Sequence, residues 1–258
     1  MTNLSPASPR SFAALTDFRF RLWPILLTAV LMQGLLELGR VPARALYRAG
    51  APLWDDHVSV FLLLAILFQA LLGLAAVLVM RRLLPTADAH LRWPPGRSYV
   101  GAAVLLGIGM GLIMLFADYW PALAAQTAPD MSYSKSPLDS AGYLLGMITT
   151  GLAEETIFRG LLVGMLVVLV PGRLRIGSLD LPVAAYIVAL MFGLAHWQSF
   201  TVDPFCQAMA QQVYAFAWGL LYVWLLERSR SLLAPMVAHG IGNFTEVGIV
   251  IWLNALWG

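Results

Sequence analysis

An all-α, polytopic membrane helix bundle of seven to eight transmembrane helices is the fold class predicted here, on three observations. Of 258 residues, 60% are hydrophobic and 12% charged, and the mean hydropathy is +0.76, whereas a soluble domain carries about 25% charge. The apolar residues gather in long runs at 22–38, 58–80, 99–120, 140–170, 182–199, 205–226 and 231–257. Arginine and lysine collect between the runs.

Taken in order, residues 1–21 are rich in Ser and Pro and then basic (Arg10, Arg19, Arg21), and read as a cytoplasmic N-terminal tail. Residues 22–258 read as a single transmembrane domain. About 20 helical residues cross the hydrocarbon core, so most runs are single spans. A signal peptide is the rival reading of 22–38, with the cleavage-like Pro42-Ala43-Arg44-Ala45 behind it; the run's length and its 21-residue lead favour a span. The 140–170 run is over-long, which predicts strong tilt or an interfacial start. The last run, interrupted by Pro235, Gly240 and Gly242, reads as one long helix or two short ones. Gly107-x-x-x-Gly111 and Gly160-x-x-x-Gly164 follow no strand and read as close helix packing. The single cysteine, Cys206, excludes an internal disulfide and reads as a small apolar helix residue.

With the N-terminus inside, the inner segments hold eleven basic residues and the outer segments four. The positive-inside rule therefore predicts a cytoplasmic N-terminus, in what reads as a bacterial inner membrane. The loop holding Arg40, Arg44 and Arg48 runs against that rule. The basic loops suit anionic lipid rather than nucleic acid.

Three polar clusters interrupt the apolar runs. Glu154-Glu155-x-x-x-Arg159 lies within 140–170. Glu155 and Arg159 are i and i+4 on a helix and can form an ion pair. Glu154, rotated about 100° from Glu155, is left without that partner. A packing salt bridge explains Glu155 and Arg159 but not Glu154. In "FGLAH", Phe192 can pack on His196 one turn later; in "HGIGN", His239 and Asn243 share a face. Gly240 and Gly242 between them remove bulk and admit another backbone or a substrate. Glu246 lies on the same helical stretch and reads either as support for this cavity or as an interfacial residue. Asp118, near the end of 99–120, has no evident acidic partner.

Two histidines, an amide and a spare carboxylate on separate runs point to a shared site. Glu154 and His196 can orient and deprotonate a water, with His239 and Asn243 donating to the tetrahedral oxygen. Glu155 and Arg159 would then lock the helix that carries the base. The same atoms permit a zinc alternative at Glu154, His196 and His239, although no HExxH motif is present and Arg159 adds positive charge nearby. Serine and aspartyl intramembrane chemistries lack their GxSG-like and GxGD-type motifs.

The ordered trio resembles the CPBP family, the CAAX-prenyl-endopeptidase and bacteriocin-processing (Abi) group of glutamate-type intramembrane proteases. The family pattern EExxxR, FxxxH, HxxxN is filled at Glu154, Glu155 and Arg159, at Phe192 and His196, and at His239 and Asn243. The resemblance implies about eight helical spans around a cavity open to one side and to lipid. It also implies water activation by Glu154 and His196, an oxyanion site at His239 and Asn243, and no metal or other cofactor. The family includes immunity-type proteins, so a non-catalytic peptide binder is the second expectation; a proton-coupled transporter is the third. Under the expected orientation the site lies in the outer half of the membrane, which favours a membrane-anchored peptide or C-terminal sorting tail of an exported protein as substrate.

Overall fold

The computed structural model describes residues 13–54, 57–131 and 136–258. In chain order the described elements are β1 (Ala13–Thr16), α1 (Leu22–Ala49), α2 (Ala51–Trp54), α3 (Val58–Leu83), α4 (Val100–Ala125) and α5 (Pro137–Glu155), then a π-helical stretch Thr156–Val163. They continue as α6 (Gly164–Leu169), β2 (Arg173–Ile176), β3 (Leu179–Pro182), α7 (Val183–Leu194), α8 (Ser199–Val202), α9 (Phe205–Ser229) and α10 (Leu233–Trp257). Among the described residues, six helices are long and apolar enough to cross a membrane: α1, α3, α4, α9, α10 and the stretch Val183–Val202 that joins α7 to α8. The bundle is thus a helical membrane protein, with six such spans against the expected seven to eight. The segment 137–169 runs as α5, π turns and α6 in succession.

The lipid-facing side is written in the sequence of α3. Leu67, Leu71, Leu74 and Leu78 form an exposed stripe at helical spacing. Such a stripe is a liability in water and is at home among acyl chains. The polar groups turn inward instead. Buried Asp139, at the start of α5, accepts from the Ser59 hydroxyl (2.6 Å) and amide (3.2 Å), and His57 Nδ1 lies 3.2 Å from its other oxygen. Ser136 caps the same helix by accepting from the Asp139 amide at 3.1 Å. One carboxylate therefore ties the heads of α3 and α5 together.

Helix α10 packs against α4, α5 and α9, and α3 packs against α1 and α5. The α5–α10 crossing is reciprocal: a Cβ on Gly151 would strike the Met236 carbonyl oxygen, and a Cβ on Gly240 would strike that of Ile148. It is another backbone, then, that Gly240 admits. Gly107 and Gly111 set α4 against Ala238 and Gly242 of α10, in line with the small-residue reading. Gly164 instead rests on the Asp88 carbonyl, in the segment between α3 and α4.

Two expectations are revised, one open alternative is decided, and one residue gains a definite place. Helix α1 runs on to Ala49, so Arg40, Arg44 and Arg48 are helical rather than a loop; Arg40 pairs with Glu37 at 2.7 Å. Arg, Ala and Leu are strong helix formers, and they carry the helix past the end of the apolar run. The last run is one helix, because Pro235 falls in its first turn, where the missing N–H has no intrahelical partner to lose. Cys206 is exposed in the first turn of α9. Finally, the bundle carries a small antiparallel sheet of order β1-β2-β3, which draws residues 13–16 of the expected tail against 173–176. Gly177, at φ 60°, supplies the left-handed residue of the two-residue β2–β3 turn. Arg173 of this sheet reaches Asp180 (3.0 Å) and Glu227 of α9 (3.1 Å).

Candidate active site

The last two residues of α5 are both glutamates, and the π turns begin directly after them. Wide turns of this kind are rare and recur at functional sites. The two carboxylates face different surroundings. Glu155 is sealed (side chain 0% exposed), whereas the Glu154 side chain is 23% exposed.

Glu155 Oε1 accepts from two donors: Arg159 Nη1 at 2.9 Å and His239 Nδ1 at 2.8 Å. Arg159, fully buried, also donates from Nη2 to the Gly219 carbonyl of α9 at 3.3 Å. Three rings surround its guanidinium, at 4.5 Å (Phe192), 4.8 Å (Tyr222) and 5.7 Å (Phe158) from the ring centres. The paired charge and the aromatic faces compensate for removing a cation from water. Five segments (α5, the π stretch, α7, α9 and α10) thereby meet around one ion pair.

His239 is turned so that its far nitrogen, Nε2, lies 3.8 Å from Glu154 Oε2. Its ring stacks on Tyr222 (5.1 Å, 12°) and meets the edge of Phe192 (5.8 Å, 82°). Phe192 also stands edge-on to His196 (5.4 Å, 86°), the contact expected from their spacing, so a single ring separates the two imidazoles.

Hydrogen-bond chemistry settles the tautomer of each ring. A carboxylate and a peptide carbonyl only accept. His239 therefore carries a hydrogen on Nδ1, toward Glu155, and His196 carries one on Nδ1, toward the Phe192 carbonyl at 2.9 Å. In the neutral form both rings present a bare Nε2. That nitrogen serves as a base on His196, and on His239 it becomes a donor only as the imidazolium.

Glu154, Glu155, Arg159, Phe192, His196 and His239 thus form one contiguous cluster. Asn243 lies one turn beyond His239 on α10 and is half-buried; among the described residues no hydrogen bond ties it to the cluster. Glu246 goes elsewhere. It hydrogen-bonds Asp118 of α4, which also accepts from the Tyr214 hydroxyl at 2.8 Å. Asp118 accordingly does have an acidic partner, which sequence spacing missed because the two are 128 residues apart. These three residues help line a cavity of about 750 Å³. Among the described residues, no three His, Cys, Asp or Glu side chains gather as a metal site.

Sequence reasoning also missed Tyr222, Phe158 and the Gly219 carbonyl. Tyr222 sits in the apolar "WGLLYVW", and only its phenolic hydroxyl within a span marked it out.

Among known proteins, residues 137–245 match the family described as Type II CAAX prenyl endopeptidase Rce1-like, a stretch that contains all three motifs. No curated protein and no solved structure matches the chain.

Proposed function

We propose, from the premise that residues 137–245 are an intramembrane CAAX-type protease domain of the Rce1-like, CPBP family, that the protein is a glutamate-type endopeptidase cutting a membrane-anchored peptide or C-terminal tail. The observation that carries this reading is the division of labour between neighbouring glutamates. Glu155 is sealed and spent on Arg159 and His239, while Glu154 remains accessible and faces Nε2 of His239.

In this mechanism Glu154, helped by Nε2 of His196, takes a proton from water as the water oxygen bonds to the scissile carbonyl carbon. The carbonyl oxygen becomes an oxyanion, which accepts from Nε2–H of the His239 imidazolium and from the Asn243 amide. Collapse of the tetrahedral intermediate breaks the C–N bond, and the leaving nitrogen takes the proton from Glu154. Glu155 and Arg159 hold His239 by Nδ1 throughout. Under the expected cytoplasmic N-terminus, the site meets exported substrates from the outer half of the membrane.

Mass spectrometry of membrane-protein termini tests this in cells carrying the native chain or Glu154→Gln. Termini that vanish with the variant, while the protein still accumulates, support the peptidase. Unchanged termini together with solute flux in liposomes would instead favour the transporter reading. Unchanged termini with retained peptide binding would favour a non-catalytic binder.

A further inference from the structure

Three groups share the work of aiming His239, and one lies outside every motif. The hydrogen bond from Nδ1 to Glu155 holds one corner of the imidazole, and small coupled changes at χ1 and χ2 still let the ring swing as that bond bends. That swing would carry Nε2 away from Glu154, from which it is separated by 3.8 Å. Phe192 meets the ring in a T-shaped contact, at 82° with its centre 5.8 Å away, and is not stacked on it. The Tyr222 ring, 12° from parallel, covers its face and blocks the rotation.

Tyr222 is itself immobilised. It is 2% exposed, its face takes the Arg159 guanidinium at 4.8 Å, and Phe192 stands edge-on to it at 6.3 Å. Its position is therefore set by the same ion pair that receives Nδ1.

We propose that Tyr222 is a positioning residue that fixes the plane of His239 and thereby the direction of Nε2. The aromatic face does this and the hydroxyl does not. The catalytic consequence rests on the peptidase reading above; the geometric statement about His239 stands apart from it.

The test uses the full chain in lipid nanodiscs with ¹⁵N-labelled histidine. Only four histidines are present (His57, His90, His196 and His239), and a His239→Gln sample assigns the relevant signal. In the native chain and in Tyr222→Phe, His239 should give one set of signals, with Nδ1 protonated and the ring protons shifted upfield by the stacked face. In Tyr222→Leu the upfield shift should vanish and the signals should split or broaden. Tyr222→Met is the substitute should the leucine variant lose helical circular dichroism.

In the terminus assay, Tyr222→Phe should cleave like the native chain, whereas Tyr222→Leu should lose about 100-fold in kcat with KM unchanged, as a misplacement of about 1 Å can cause. Native His239 signals in Tyr222→Leu, or equal damage from Tyr222→Phe, would overturn the proposal. A native chain that cleaves nothing would sink the peptidase reading alone, and the His239 signals would still decide the role of Tyr222.

Discussion

His239 and Arg159 donate to the same oxygen, Glu155 Oε1, at 2.8 and 2.9 Å. One carboxylate is thus committed to holding one imidazole and neutralising one guanidinium, and the adjacent Glu154 stays outside that ion pair and partly exposed.

Glu155→Gln should be a folding mutation. It leaves the Arg159 charge buried without its partner, which costs about 3–5 kcal/mol. Denaturation followed by circular dichroism in detergent should show this loss, and Arg159→Lys should not be tolerated well either, since an ammonium cannot reproduce the planar fork that reaches both Glu155 and Gly219.

Glu154→Gln should behave in the opposite way. The residue is partly exposed and outside the ion pair, so stability should stay within about 0.5 kcal/mol of native. Cleavage should fall about 10²- to 10⁴-fold, the usual contribution of a general base. A matched loss of stability would place Glu154 in the scaffold instead.

Gly240→Ala should destabilise by about 1–3 kcal/mol, because the new methyl meets the Ile148 carbonyl on a facing helix rather than a side chain that can turn away. Gly248→Ala, whose Cβ would meet Leu144 at an ordinary 3.7 Å, is the matched control on the same helix. Parallel thermal melts of the two variants check the difference.

Acid should loosen the segment between α3 and α4. Burial holds the His90 imidazole below its ordinary value, against the opposing pull of Asp88. A depressed folded value means the stabilising contribution is full above the unfolded value of about 6.5 and is lost as the pH falls through the folded one. For Asp88, burial pushes up, but the His90 amide, His90 itself and Arg92 outweigh it and lower the carboxyl. Its contribution is lost only at still more acid pH. Hydrogen exchange over 84–99, corrected for intrinsic rates, should rise between pH 7.5 and 5, and His90→Gln should flatten that rise.

Much of the site was legible because its residues are costly in a membrane. Glu154, Glu155, Arg159, His196 and His239 stood out as polar groups inside apolar runs, and i, i+4 spacing alone foretold the Glu155–Arg159 and Phe192–His196 contacts. What escaped notice was cheap in a membrane or distant in the chain. Tyr222 and Phe158 look like any aromatic in a span, and the Asp118–Glu246 contact joins α4 to α10 with no sequence spacing to announce it. The sheet escaped for another reason: its strands are four residues each, too short for an alternating pattern to declare itself.

That sheet has a bearing on biosynthesis. Strand β1 finds its partner only at residues 173–176, after α1, α3, α4 and α5 have been made. During translation the β1 segment has no strand partner until those helices have been synthesised, and the clasp closes only once residues 173–176 have left the ribosome. Topology therefore makes this clasp a late event: it cannot form until four long helices have emerged ahead of its second strand.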